Sequence, residues 1–85
     1  MVQAPRVLIV DDHPLFRDAL ETALECAYPA GAAASHASSL SDALARLQAD
    51  DVDLVLLDLN LGDSVEFEGL TRLRAARPDC PVVVV

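Results

Sequence analysis

The 85-residue sequence predicts an α/β domain built on a doubly wound parallel sheet, on three observations. Short apolar runs, RVLIV at 6–10, DLVLLDLN at 53–60 and VVVV at 82–85, alternate with longer stretches of helical periodicity. Strands separated by helices of that length require right-handed crossovers, hence parallel pairing with helices on both faces. The first and the central run also end in carboxylates, Asp11-Asp12 and Asp58. In open sheets of this kind chemistry sits beyond the carboxyl ends of the strands, where the strand order reverses.

Met1 to Pro5 reads as a short leader, and Arg6 to Val10 as a β-branched apolar strand. Pro14 suits the first helical position, where its missing N–H costs nothing, with His13 or Asp12 as N-cap. Leu15, Phe16, Ala19, Leu20, Ala23, Leu24 and Ala27 then recur at helical spacing, predicting an amphipathic helix that stops near Tyr28-Pro29. A short strand is expected at Ala33 to His36. Ser39 is the expected cap of a second helix, with Asp42 three residues on and Leu40, Ala43, Leu44 and Leu47 facing inward. The central strand from Asp53 to Asn60 is expected to be buried on both faces. A third helix from Glu66 to Arg77 turns Phe67, Leu70 and Leu73 inward and ends before Pro78. A fourth buried strand begins at Val82, where the sequence closes.

Composition narrows the function classes. A formal charge of −8 with no lysine argues against a grip on nucleic-acid phosphate or an anionic membrane by this segment itself. No stretch approaches the roughly 18 apolar residues of a spanning helix and there is no signal-peptide pattern, so the expected compartment is cytoplasmic. Cys26 and Cys80 lack metal-binding spacing and read as reduced thiols acting as small hydrophobes.

The spacing predicts that Asp11, Asp12 and Asp58 converge. Burying Asp58 costs several kcal/mol, roughly, unless a cation or hydrogen-bond donors receive it. Three carboxylates at close range raise one another's pKa, and a hard divalent ion resolves the conflict. Mg²⁺ suits such oxygen ligands, with the Asn60 backbone carbonyl available to the same shell. Asp58 is then placed to attack phosphorus as a carboxylate nucleophile. His13 reads as a helix-start residue and not a ligand. Arg72, Arg74 and Arg77 read as charges that suit the C-terminal dipole of the third helix.

The set Val10-Asp11-Asp12-His13-Pro14-Leu15-Phe16-Arg17, with Asp58 closing Leu56-Leu57-Asp58-Leu59-Asn60, resembles the response regulator receiver domain of bacterial two-component signalling. The DDHPLFR form resembles the subgroup whose receivers precede a LuxR-type (NarL/FixJ-like) helix-turn-helix. The resemblance covers nearly the whole chain. It implies a flavodoxin-like fold of five strands in the order 2-1-3-4-5, here ending after the fourth. It further implies that Asp11, Asp12 and the Asn60 carbonyl hold Mg²⁺ with Asp58, and that Asp58 accepts phosphate from a histidine kinase. DNA binding then belongs to an output domain outside this chain.

Two departures bear on that implication. The family's Met-Pro-Gly after the acceptor is replaced by the longer Leu61-Gly62-Asp63-Ser64-Val65-Glu66-Phe67-Glu68-Gly69. The family's Ser/Thr and Lys at the ends of the fourth and fifth strands would lie past Val85. Residues 1–85 are therefore read as the retained part of a longer receiver, with an open apolar edge that favours self-association. A pseudo-receiver that serves as an interaction or dimerisation module without phosphorylation is the alternative. A Mg²⁺-dependent phosphohydrolase stands third, because Asp58-Leu59-Asn60 offers one carboxylate where such enzymes use two.

Overall fold

Four parallel strands form one sheet, and the chain winds from its middle outward in both directions. The computed structural model describes residues 4–58 and 68–85. In chain order the elements are β1 (Arg6–Val10), α1 (Pro14–Ala27), β2 (Ala33–Ala37), α2 (Leu40–Ala49), β3 (Leu54–Leu57), α3 (Glu68–Ala76) and β4 (Val82–Val84). The spatial order is β2-β1-β3-β4, so the chain passes from β1 to β2 on one side and returns across β1 to β3 on the other. The doubly wound parallel sheet expected from the sequence is therefore present.

Alternation along β1 and β3 divides the core. Leu8, Val10, Val55 and Leu57 face one way, against Leu40, Ala43 and Leu47 of α2 and Leu73 of α3. Val7, Ile9 and Leu56 face the other way, where Leu24 of α1 covers them. Both faces of β1 are thus sealed, which is why its apolar run is unbroken.

Local chemistry sets the element ends. Ser39 Oγ accepts from the Asp42 N–H at 3.0 Å, the N-cap that the sequence indicates. Gly31 adopts φ +111° in the turn between α1 and β2, a conformation that costs an L-residue about 1–2 kcal/mol. At the amino end of the sheet the Arg6 N–H donates to the Asp53 carboxylate at 2.8 Å, while the Asp53 N–H donates to the Arg6 carbonyl. Arg77 does more than suit a helix dipole. Its Nη1 donates to the Leu47 carbonyl at 3.1 Å, tying the end of α3 to the open carbonyls at the end of α2.

Several expectations need correction. The central strand runs over Leu54–Leu57, with Asp53 spent on the Arg6 contact and Asp58 following the strand; Leu59 and Asn60 of the expected span lie outside the described residues. The expected start of the third helix at Glu66 and the inward Phe67 also lie outside them. The apolar stripe of α1 is buried only toward its end. Leu15 is 86% and Phe16 41% exposed, because among the described residues no other helix shares that face of the sheet. The valine run is not buried either. Among the described residues β4 pairs with β3 alone, and Val83, Val84 and Val85 are exposed. Cys26 is exposed, so its surroundings are not those of a core residue.

Cys80 is buried, and burial pushes its thiol pKa above the ordinary 9.0. Arg77 opposes that shift, while Asp79 and Asp53 add to it. Since the folded state favours the neutral thiol, its contribution to stability is intact below the ordinary value and is lost as pH rises through the higher folded value. Iodoacetamide at neutral pH should therefore alkylate Cys26 readily and Cys80 slowly, as read by peptide mass spectrometry. Equal rates at the two sites would contradict the buried placement of Cys80.

Candidate functional site

The site is assembled by continuing the parallel ladder one residue beyond the strands. Val10 stands opposite Leu57 in the β1–β3 register, so the next residues, Asp11 and Asp58, emerge side by side at the carboxyl ends. Backbone bonds hold both. The Asp11 N–H donates to the Ala37 carbonyl and the Asp58 N–H to the Val10 carbonyl, each at 3.0 Å. The strands concerned flank the point at which the winding reverses, the place where open α/β sheets bind ligands.

Both carboxylates are shielded from water. Asp11 is fully buried and Asp58 is 7% exposed, while Asp12 is exposed. One Asp11 oxygen, Oδ1, accepts the His13 backbone N–H at 2.6 Å. The other, Oδ2, is buried without a hydrogen-bond partner. A buried carboxylate oxygen with nothing to receive it carries an unmet desolvation cost, and a cation is the chemistry that meets it.

His13 stands at the centre of the cluster. Pro14 occupies the first turn of α1 and confines the preceding residue to extended backbone, and His13 has φ −112° and ψ 110°. Its side chain makes no capping hydrogen bond. The ring instead turns to the carboxylates, with Nδ1 2.8 Å from Asp12 Oδ1, 3.4 Å from Asp11 Oδ1 and 3.8 Å from Asp58 Oδ2. One donor atom from each of Asp11, Asp12, His13 and Asp58 lies within 4.8 Å of the others.

The structure therefore brings together the three carboxylates singled out by the sequence. Asn60, the fourth expected ligand, lies outside the described residues. His13 stands at the helix start, as expected, and its ring also lies against the three carboxylates, a placement signalled by its position directly after two acids and before Pro14. His36 is a separate case: Nε2 lies 2.7 Å from Glu21 Oε1, linking β2 to α1 away from the carboxylates. Three carboxylate donors with a buried unpartnered oxygen fit a hard divalent ion such as Mg²⁺. Among the described residues no helix is long and apolar enough to cross a membrane.

Known proteins similar to this chain identify its family. The chain is 42% identical over 81 residues to the glycerol metabolism activator of Pseudomonas putida, covering 94% of this chain and 36% of that protein. It thus spans about a third of the length of that relative. A LuxR family DNA-binding response regulator from Silicibacter pomeroyi is 42% identical and superimposes with a TM-score of 0.78, covering 94% of this chain and 62% of that one. The response regulator TrrA from Thermotoga maritima, in complex with Mg²⁺-BeF, is 26% identical with a TM-score of 0.81, covering 94% and 67%. Residues 7–85 match the model of the response regulator receiver domain, and on that match over nearly its whole length the chain belongs to the receiver domain family of two-component response regulators.

Proposed function

We propose that this chain accepts a phosphoryl group on Asp58 from a histidine kinase, in a Mg²⁺-dependent reaction, and relays the change to a transcription-regulating output domain. The observation that carries the reading is the pairing of buried Asp11 and Asp58 at the ends of adjacent strands, with Asp11 Oδ2 left unpartnered. Asp11, Asp12 and Asp58 would hold the ion, with the Asn60 carbonyl a further proposed ligand. When bound, Mg²⁺ offsets the charge that gathers on the phosphoryl oxygens. Asp58 does the covalent work. A carboxylate oxygen forms a bond to phosphorus as the bond to the kinase imidazole nitrogen breaks, and that nitrogen keeps the electron pair. The product carries close to two added negative charges, enough to reorganise adjacent loops. In this role the chain is a phosphoacceptor, not a turnover enzyme.

The output is proposed to be a LuxR-type DNA-binding domain, on the DDHPLFR stretch and the likeness to the Silicibacter pomeroyi regulator. Spanning 36% of the Pseudomonas putida relative fits a receiver attached to further domains. With a charge of −8, DNA contact is assigned to that output domain and not to this surface. A cytoplasmic location follows from the same role.

The experiment is labelling with acetyl phosphate or phosphoramidate. Wild-type protein should gain one phosphoryl group only when Mg²⁺ is present, and Asp58→Ala should gain none. Labelling that persists in Asp58→Ala, or that ignores Mg²⁺, would overturn the reading.

We further propose self-association through the exposed Leu15 and Phe16 on α1. Sedimentation should show a concentration-dependent rise in mass that Phe16→Ser reduces. A monomer at all concentrations would count against it.

A further inference from the structure

We propose that the outer edge of β2 is a docking site for an extended, basic segment of a partner protein, which adds there as a further strand. β2 is the end strand of the sheet, bonded to β1 on one side, and no strand among the described residues lies on the other. The Ala33 N–H donates to the Pro5 carbonyl and the Ala37 carbonyl accepts from the Asp11 N–H, so Ala33, Ser35 and Ala37 spend their backbone groups on β1. By alternation Ala34 and His36 turn theirs outward. Exposed sheet edges are ordinarily guarded by lysine, proline or a bulge. This one has none of them: the strand is AASHA, its register with β1 is unbroken, and the His36 ring is drawn to Glu21 of α1, 2.7 Å away.

A cavity opens beside this edge on each face of the sheet. On the α1 face, one of about 360 Å³ lies between Ala34 and the helix, walled by Leu24 and Tyr28 and rimmed by Glu21 and Glu25. On the α2 face, one of about 470 Å³ reaches from Ala33 and Ser35 to Val52 and is lined by Arg6, Asp50 and Asp51. Successive side chains of a strand point to opposite faces, so an added strand lodges neighbouring residues in the two cavities. Charge then names the occupant. Among the described residues no cation lines the first cavity, and in the second Arg6 Nη1 stands 3.4 Å from Asp51 and so leaves the charge of Asp50 in excess. A second copy of this chain, at a formal charge of −8, would bring the same acids to the edge. Two consecutive arginines or lysines of a partner strand instead meet carboxylates on both faces.

The test is fluorescence polarisation of this chain with a labelled peptide, TVTRRVTVT, against the acidic control TVTEEVTVT, with amide hydrogen exchange followed by NMR. The basic peptide should bind and slow exchange at the Ala34 and His36 amides, and the acidic one should bind about tenfold more weakly or not at all. Ala34→Pro removes an outward N–H without costing a bond to β1, a placement that proline tolerates in an edge strand. It should unfold near the wild-type temperature and lose about tenfold or more in peptide affinity. Glu25→Gln, on the exposed side of α1, should weaken binding about threefold, the scale of one exposed charge pair. Equal binding of the two peptides would overturn the basic partner. Protection confined to other segments, or unchanged affinity in Ala34→Pro, would overturn the edge, and binding of neither peptide would overturn both. Protection of Ala34 and His36 that rises with protein concentration in the absence of peptide would make a second copy the occupant and overturn the partner assignment.

Discussion

The structure turns on the adjacency of two buried carboxylates, Asp11 and Asp58, fixed by the register of β1 against β3. Parallel pairing of Val10 with Leu57 leaves no freedom about what comes next. The residue after each strand must emerge beside its counterpart, and both are acids. Like charges held in a water-poor setting repel, so the metal-free protein carries an electrostatic load at the end of its best-packed strands. The apolar burial of Leu8, Ile9, Val55 and Leu57 holds that load in place. Fold stability and the charge at the site are therefore coupled through the same two strands, and a cation bound there, as proposed, would relieve the charge without disturbing the packing.

The two faces of the sheet are unequal. One is covered by α2 and α3, joined by the Arg77 bond to the Leu47 carbonyl. The other rests on α1, of which only Leu24 is buried, while Leu15 and Phe16 near its start face outward. The start of α1 is also the start of the site, since His13 is its N-cap and Asp11 bonds the His13 N–H. The thinly packed helix end thus lies next to the acidic cluster. A change of charge there acts on an element with little burial to hold it, which suits a segment that responds to the site.

Much of this was legible in the residues because the signals were local or periodic. RVLIV, the Ser39 cap and the proline at the start of α1 needed no tertiary information, and Asp11 and Asp58 were readable as strand-end acids. The weak strand Ala33–Ala37 was legible mainly from its neighbours, because its alanines and serine carry little strand preference and the pairing with β1 forms it. The exposure of Leu15 and Phe16 was not legible. A helical stripe shows which face is apolar, not whether anything covers it. The Arg77 bond and the turn of the His13 ring toward Asp12 were not legible for a related reason: spacing does not encode where a long or ring side chain turns.

The most direct measurement is thermal unfolding of the wild type and Asp11→Asn, with and without saturating Mg²⁺. An ion that binds only the folded state raises its stability by mass action. The wild-type Tm should rise with Mg²⁺. Asp11→Asn, relieved of one buried charge, should unfold at a higher temperature than metal-free wild type and show no Mg²⁺ response. A wild-type Tm indifferent to Mg²⁺, or an Asp11→Asn variant less stable than metal-free wild type, would contradict the view of these carboxylates as a strained site awaiting a cation.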